Sequence, residues 1–129
     1  MNRRVLIVDD ETTILMAFKK LLQCPDIEVD TAETVEEAFS LLDRQEYAAV
    51  IADLRLSGFS GEEGLDIISY VKGQYPETHA ILITAYGNQD VMKKAYNLGA
   101  SYYFEKPVST SIIKDALKSL GVLLCALKA

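Results

Sequence analysis

The sequence predicts an α/β domain built on one parallel β-sheet. Its 129 residues correspond to a single domain and are enough to bury a core. Apolar runs without alternation are typical of strands that are covered on both faces, and three are present: Val5–Val8, Ala49–Ala52 and Ala80–Ile83. Segments with helical spacing alternate with the strands, which favours helices on both faces of the sheet.

The first half of the chain contains two strands and two helices. An amphipathic helix from about Glu11 to Gln23 follows the first strand and is stopped by Pro25. The next strand, Ile27–Thr31, alternates strictly, as an edge strand with one solvated face does. Thr34, with a glutamate three residues later, predicts a capping box at the start of the second helix.

The second half continues the same alternation. We expect a helix from about Glu62 to Gln74, a helix capped by Asn88, and a last helix capped by Ser109 or Thr110. Between the last two helices lies a short mixed strand, Ser101–Glu105. Because the three apolar strands belong in the middle and the two mixed strands at the edges, the sequence predicts a doubly wound (βα)5 fold with the flavodoxin-like strand order 2-1-3-4-5.

Composition excludes several classes of protein. The net charge of −6 argues against a nucleic-acid-binding surface. No apolar segment reaches the roughly 18 residues of a membrane helix, and the first apolar run is too short for a signal peptide, so we expect a cytoplasmic protein. Cys24 and Cys125 form no zinc-binding pattern and are expected to be free thiols.

Polar residues stand at the end of four predicted strands. They are Asp9 and Asp10 after the first strand, Asp53 after the third, Thr84 after the fourth and Lys106 after the fifth. The carboxyl ends of parallel strands share one edge of the sheet, where ligands bind. Three carboxylates repel one another unless a hard cation lies among them, and Mg²⁺ accepts such oxygen ligands while leaving positions for a phosphoryl group. The set therefore predicts phosphoryl transfer to Asp53 as the nucleophile.

Each of these residues also has an ordinary structural interpretation. Asp53 could be a loop or helix-cap aspartate. Asp9 and Asp10 could cap the first helix. Thr84 could be a β-branched strand residue, and Lys106 could be a solvated lysine.

Four segments resemble the receiver domains of response regulators in two-component signalling, the CheY-like superfamily. They are VLIVDDE (5–11), IADLRLSG (51–58), ILITAYG (81–87) and GASYYFEKPV (99–108). Their order and spacing match over nearly the whole chain. The resemblance implies one receiver domain over residues 1–129, with no effector domain visible. It also implies a phosphoacceptor signalling module rather than an enzyme, one that promotes its own phosphorylation and dephosphorylation.

The resemblance further implies a role for each site residue. Asp53 would accept a phosphoryl group from a histidine kinase or a phosphotransfer protein. Mg²⁺ would be held by Asp9, Asp10 and Asp53 together with the backbone carbonyl of Arg55.

Three more residues follow from the same resemblance. Thr84 and Lys106 would contact the phosphoryl group, and Tyr103 would swing inward when Thr84 moves. A half-buried edge-strand tyrosine is the alternative interpretation of Tyr103. The Lys106–Pro107 peptide bond would be cis.

The loop after the phosphoacceptor departs from the family pattern. Family members usually carry a proline there, whereas this chain has Leu56-Ser57-Gly58, and the stretch 58–64 is slightly long. The conformation of this loop is therefore left open. Arg55 and Tyr86 are bulky residues two positions beyond Asp53 and Thr84, and we expect them to slow hydrolysis of a phosphoaspartate.

Three other functions can be weighed against the sequence. A degenerate receiver would bind partners without phosphorylation, which the complete acidic set with Thr84 and Lys106 opposes. A phosphatase of the haloacid dehalogenase type needs a second aspartate where this chain has Arg55, which cannot act as an acid. A nucleotide- or flavin-binding protein needs a glycine-rich loop where this chain has Asp9-Asp10-Glu11.

The C-terminus suggests an association surface. We expect the last helix to continue past Gly121 into the apolar run Val122–Leu127. Such a helix is apolar all round, which exceeds the needs of one buried face. The run therefore predicts a homodimer seam or a helical linker, unless it packs against the first helix.

Overall fold

The structure, a computed structural model, describes residues 3–56 and 61–122. Within those residues, strands and helices alternate along the chain in the predicted manner. The order is β1 (Arg3–Val8), α1 (Thr12–Leu22), β2 (Ile27–Ala32), α2 (Val35–Arg44), β3 (Ala49–Asp53), α3 (Glu63–Gln74), β4 (His79–Thr84), α4 (Gln89–Asn97), β5 (Tyr102–Glu105) and α5 (Thr110–Ser119).

The strands form one parallel sheet in the order β2-β1-β3-β4-β5. This confirms the predicted flavodoxin-like fold, with the mixed strands at the edges. Neighbouring strands pair in register so that Asp53 lies opposite Ile83 and Thr84 lies opposite Glu105. The ends of β3, β4 and β5 are therefore brought to the same edge of the sheet.

The core lies on both faces of the sheet. In β1, Val5 and Ile7 pack in the cluster that contains residues of α1 and α5, whereas Leu6 and Val8 pack in the cluster that contains residues of α2 and α3. Because successive side chains of a strand point to opposite faces, a strand that is covered on both sides must be apolar throughout. This explains the unbroken apolar run that predicted the strand.

Three helices begin at the predicted caps. The side-chain oxygen of Thr34 accepts a hydrogen bond from the amide of Glu37, and that of Asn88 from the amide of Val91. For α5, Ser109 rather than Thr110 is the capping residue. Each cap satisfies an amide that has no partner within the helix.

The predicted continuation of the last helix past Gly121 is wrong. Helix α5 ends at Ser119, and Gly121 has a φ of +75°, in the left-handed region. The amides of Gly121 and Val122 donate to the carbonyls of Lys118 and Leu117, at 3.0 and 2.9 Å. Such bonds around a left-handed glycine close a helix. The predicted association surface was Val122–Leu127: Val122 is buried in the core, and the rest of that run lies outside the described residues.

The expectation of a free thiol at Cys24 is also wrong. Cys24 is disulfide-bonded, and its partner lies outside the described part of the chain. The amide of Arg3 donates to the carbonyl of Asp26 and its guanidinium group donates to the carbonyl of Gly121, so the segment after α1 lies near the end of α5.

None of the helices in residues 3–56 and 61–122 is long and apolar enough to cross a membrane.

Candidate functional site

Three carboxylates meet at the carboxyl edge of the sheet. Asp53 is the last residue of β3, and Asp9 and Asp10 directly follow β1, the strand beside it. Each residue offers one carboxylate oxygen, and these oxygens lie within 4.8 Å of one another. Asp9 and Asp53 are buried, whereas Asp10 is exposed. Oxygen donors of this kind are suited to a hard divalent cation such as Mg²⁺.

Lys106, directly after β5, completes this cluster. Its Nζ atom donates to Oδ2 of Asp9 at 2.9 Å and to Oδ2 of Asp53 at 3.2 Å. Burial lowers the pKa of the ammonium group, but the contacts with the two carboxylates outweigh it and raise the pKa above its ordinary value. Lys106 is therefore a charged bridge between two buried acids, not a solvated lysine.

The electrostatics of Asp53 follow from its burial. Desolvation raises the pKa of Asp53 to about 6, with the charge of Lys106 acting to lower it and the charge of Asp9 acting to raise it. A carboxyl group with that pKa is largely ionised at neutral pH. Asp53 is therefore in the form that can act as a nucleophile.

Asp9 has a structural contact as well as its place in the cluster. Its Oδ1 atom accepts a hydrogen bond from the amide of Glu11 at 2.9 Å, while Oδ2 accepts from Lys106. Glu11 is the N-cap residue of α1 and makes no side-chain capping bond of its own. Asp9 therefore does not cap α1, because a capping side chain accepts from an amide inside the first turn and Asp9 accepts from the amide of the N-cap residue itself.

Thr84 is fully buried at the end of β4. Its hydroxyl oxygen accepts a hydrogen bond from the amide of Tyr86 at 2.9 Å, which turns the hydroxyl group towards the β4–α4 loop. The carbonyl of Thr84 accepts from the amide of Lys106 at 2.8 Å. Thr84 therefore makes hydrogen bonds with the backbone of the β4–α4 loop and with the backbone of the residue that follows β5.

Tyr103 already points into the protein, against the cluster that contains residues of α3 and α4, while Thr84 is still bonded to the amide of Tyr86. The inward position that was expected only after Thr84 moves is therefore present without that movement. Its hydroxyl oxygen is buried and has no hydrogen-bond partner among the described residues. Burial, with a further contribution from the charge of Glu105, raises the pKa of Tyr103. A Cβ atom added at Gly87 would lie 1.6 Å from this hydroxyl oxygen, so the tyrosine occupies space that exists only because residue 87 is glycine.

The two bulky residues that follow β3 and β4, Arg55 and Tyr86, contact each other. The guanidinium carbon of Arg55 lies 4.0 Å from the ring centroid of Tyr86, within cation–π range. Both residues are exposed, Tyr86 to 59 %. The side chains beyond β3 and β4 therefore touch each other. The cis bond between Lys106 and Pro107 is also present, as predicted.

Sequence reasoning missed two residues at the start of α3. A Cβ atom at Gly64 would lie 2.2 Å from the carbonyl oxygen of Asp53, and the amide of Gly64 donates to the carbonyl of Leu54 at 2.9 Å. The neighbouring Glu63 is buried although it is acidic. The only sequence signal was a Glu-Gly pair at a helix start, which does not reveal that the helix approaches the backbone of β3 so closely.

Fold and site together define a flavodoxin-like domain whose acidic cluster and lysine lie at the carboxyl ends of the strands. The model of the response regulator receiver domain family matches residues 5–118. The chain belongs to that family and is a receiver domain of two-component response regulators.

Curated relatives are longer than this chain. The response regulator protein PilR of Pseudomonas aeruginosa is 33% identical over 114 residues, which are 88% of this chain and 25% of PilR. The acid tolerance regulatory protein ActR of Rhizobium meliloti is 34% identical over 116 residues, which are 90% of this chain and 58% of ActR. The chain thus spans about a quarter of one relative and over half of the other.

A solved structure shares the fold over nearly its full length. The receiver domain protein (CheY-like) from Methanospirillum hungatei JF-1 has a TM-score of 0.84 and 25% sequence identity. The match covers 94% of this chain and 95% of that one. The likeness in fold therefore extends over nearly the whole of both chains.

Proposed function

We propose that Asp53 is the phosphoacceptor of this receiver domain and that a histidine kinase or a phosphotransfer protein is the donor. The observation that carries the proposal is the position of Lys106, which bridges Asp53 and Asp9 within a cluster of three carboxylates. A structural ion pair needs one acid for one lysine. The additional acids are suited to a cation and to a phosphoryl group that arrives with it.

The proposed metal ligands are the carboxylates of Asp9, Asp10 and Asp53 and the backbone carbonyl of Arg55. Bound Mg²⁺ would neutralise charge on the transferring phosphoryl group. Catalysis of this transfer consists mainly of positioning and charge stabilisation. Lys106 serves both purposes, since its ammonium group is held by Asp9 at a distance of 3.2 Å from Asp53.

The transfer itself requires little covalent chemistry from the protein. A carboxylate oxygen of Asp53 attacks the phosphorus atom of the donor phosphohistidine, and the P–N bond breaks. The electron pair of that bond stays on the imidazole nitrogen, which takes up a proton from water. Lys106 and the hydroxyl of Thr84 stabilise the phosphoryl oxygens of the product.

The proposed output is a conformational change through Thr84 and Tyr103 that alters association with a partner or with a second copy. The hydroxyl of Thr84 would turn from the amide of Tyr86 towards the phosphoryl group. Tyr103 would then respond through the β4–α4 loop, a two-state element that phosphorylation biases. We propose residues 1–129 as one receiver unit, with the output carried by another domain or protein.

The alternative is a degenerate receiver that binds partners without phosphorylation. Such a domain has no need to keep Lys106 within hydrogen-bond distance of two buried acids. No contact among the described residues favours this alternative over phosphorylation.

The test is covalent labelling of the intact chain. We expect incubation with Mg²⁺ and acetyl phosphate, or with a phosphorylated histidine kinase, to add the mass of one phosphoryl group. Asp53→Asn and chelation of Mg²⁺ should each abolish labelling. Asp66→Asn, an exposed aspartate of α3, is the matched control and should label normally. Full labelling of Asp53→Asn would contradict the assignment, and no labelling of the unaltered chain by either donor would favour the degenerate alternative.

A further inference from the structure

We propose that Glu63 is a positioning residue for the metal site, because it fixes the peptide unit that carries the Arg55 carbonyl. The inference rests on the proposed function to the extent that this carbonyl is a ligand of Mg²⁺. The contacts of Glu63 themselves belong to the structure and do not depend on that proposal.

Glu63 is a buried carboxylate, 6% exposed, at the start of α3. Its Oε1 atom accepts a hydrogen bond from the amide of Leu56 at 3.1 Å, and its Oε2 atom accepts from the amide of Gly61 at 3.1 Å. Leu56 and Gly61 flank the stretch 57–60. A single carboxylate therefore holds both ends of the connection between β3 and α3.

Burying a carboxylate is unfavourable unless hydrogen bonds replace its hydration. Bonds from backbone amides to an ionised acceptor are among the stronger hydrogen bonds in proteins. The amides of Leu56 and Gly61 provide such bonds, one to each oxygen. Burial of Glu63 is thus explained by the loop that it holds.

The connection to the metal site is covalent and short. The amide N–H of Leu56 and the carbonyl of Arg55 belong to the same peptide unit, which is planar. In a trans unit the two groups point in opposite directions, so an N–H directed at Glu63 sets the direction of the Arg55 carbonyl. A hydrogen bond at the N–H also polarises the unit and strengthens its carbonyl oxygen as an acceptor.

Glu63 is itself held by a rigid attachment. The amide of the next residue, Gly64, donates to the carbonyl of Leu54 at 2.9 Å, and the absence of a Cβ atom allows the helix to contact the backbone of Asp53. The Leu56 side chain is buried in the core between the sheet and α2. The Glu63 carboxylate therefore connects the start of α3 with Leu56, and both segments are fixed by their own packing. Side chains that orient metal ligands are typically held in this way.

The geometry also explains why the residue is glutamate. Within residues 3–56 and 61–122, one N–H donor faces each of the two oxygens, so a glutamine side chain at this position could accept only one of these bonds and would direct its amino group at the other donor. Glu63→Gln keeps the size of the side chain and is therefore the variant that tests the proposal. Glu62→Gln makes the same change at the neighbouring residue, whose carboxylate lies 3.5 Å from Lys94, and serves as the control.

The experiment measures the Mg²⁺ affinity of the full chain by calorimetry, well below its melting temperature. We expect Glu63→Gln to weaken Mg²⁺ binding by about 10-fold, the typical effect of losing a group that orients a ligand. Glu62→Gln should bind as the unaltered chain does. In parallel, hydrogen exchange followed by NMR should show that the amides of Leu56 and Gly61 lose protection in Glu63→Gln alone.

The outcomes separate the two proposals. Faster exchange and a lower melting temperature with unchanged Mg²⁺ affinity would mean that Glu63 supports only the loop, and would overturn the inference. Unchanged exchange would overturn it as well. If the unaltered chain does not bind Mg²⁺, the proposed function is contradicted. The proposed role of Glu63 then fails too, because it depends on that metal site. If Glu63→Gln does not fold, Glu63→Asp, which keeps the charge but shortens the reach, takes its place and is expected to weaken binding similarly.

Discussion

The two loops beside Asp53 differ in how they are held. The β3–α3 connection is tied to a buried carboxylate at both ends and to the backbone of β3 through Gly64. The β4–α4 loop lies beside a buried hydroxyl, that of Tyr103, which has no hydrogen-bond partner among the described residues. Among the described residues, the first side is thus anchored by hydrogen bonds at both ends, and the second contains a buried hydroxyl without a partner.

This difference indicates which side can change. A buried hydroxyl without a partner costs about 1–3 kcal/mol, and Tyr103 would recover hydration by moving outward. A gap of a few kcal/mol between two arrangements is small enough for a ligand to reverse. The β3–α3 side therefore serves as a platform for the site, and the β4–α4 side is the one suited to act as a switch.

The largest effect is expected from disturbing the platform. In Gly64→Ala the new methyl group would lie 2.2 Å from the carbonyl oxygen of Asp53, so the backbone must shift. We expect the free energy of unfolding to fall by about 3 kcal/mol, measured by urea denaturation. Gly73→Ala in the same helix meets nothing within 4 Å and should raise stability by about 0.5–1 kcal/mol. Equal effects of the two changes would contradict the close approach.

The next largest effect is expected at the switch. The Cβ atom of Gly87→Ala would overlap the Tyr103 hydroxyl and would lie 2.9 Å from the Thr84 methyl group. We expect the tyrosine to be expelled, at a cost of about 1–3 kcal/mol, with its ring becoming accessible in NMR spectra. Gly87→Ala should cost less stability when Tyr103→Ala is already present, because the effects of substitutions at contacting residues on stability are not additive. Additive effects would show that Tyr103 does not fill this space.

A smaller effect, of opposite sign, is expected from removing the unpaired hydroxyl. Tyr103→Phe should raise the free energy of unfolding by about 1 kcal/mol, because no hydrogen bond is lost. The matched change Tyr47→Phe should lower it by about 1–2 kcal/mol, because the Tyr47 hydroxyl donates to Asp30 at 2.6 Å. A loss of stability in Tyr103→Phe would mean that the hydroxyl has a partner.

The smallest effect on stability is expected where the two loops touch. The cation–π contact of Arg55 with Tyr86 is exposed and is worth about 0.5–1 kcal/mol. The double change Arg55→Ala and Tyr86→Ala should nevertheless shorten the half-life of phosphoaspartate, because it opens the approach of water to Asp53. The exposed Tyr96 of α4 provides the control, Tyr96→Ala. An unchanged half-life in the double variant would remove the basis for this prediction.

Much of the fold and most of the site were predictable from local patterns. The unbroken apolar run of β1 predicts a strand with two covered faces, and the caps Thr34 and Asn88 mark helix starts. The convergence of Asp9, Asp53 and Lys106 follows from topology alone, because parallel strands end at one edge of the sheet. In each case the information is contained in a few consecutive residues or in the order of the strands.

Tertiary structure alone decided the features that depend on how segments far apart in sequence approach each other. No local sequence pattern predicts that Gly64 contacts the backbone of Asp53 or that Glu63 is buried. Nor does any local pattern predict that the Tyr103 hydroxyl fills the space beside Gly87. The same holds for Cys24, whose disulfide contradicts an expectation based on sequence spacing. The sequence specifies which side chains are available, but close packing determines which of them meet, because a difference of about one ångström between two backbones separates a contact from a clash.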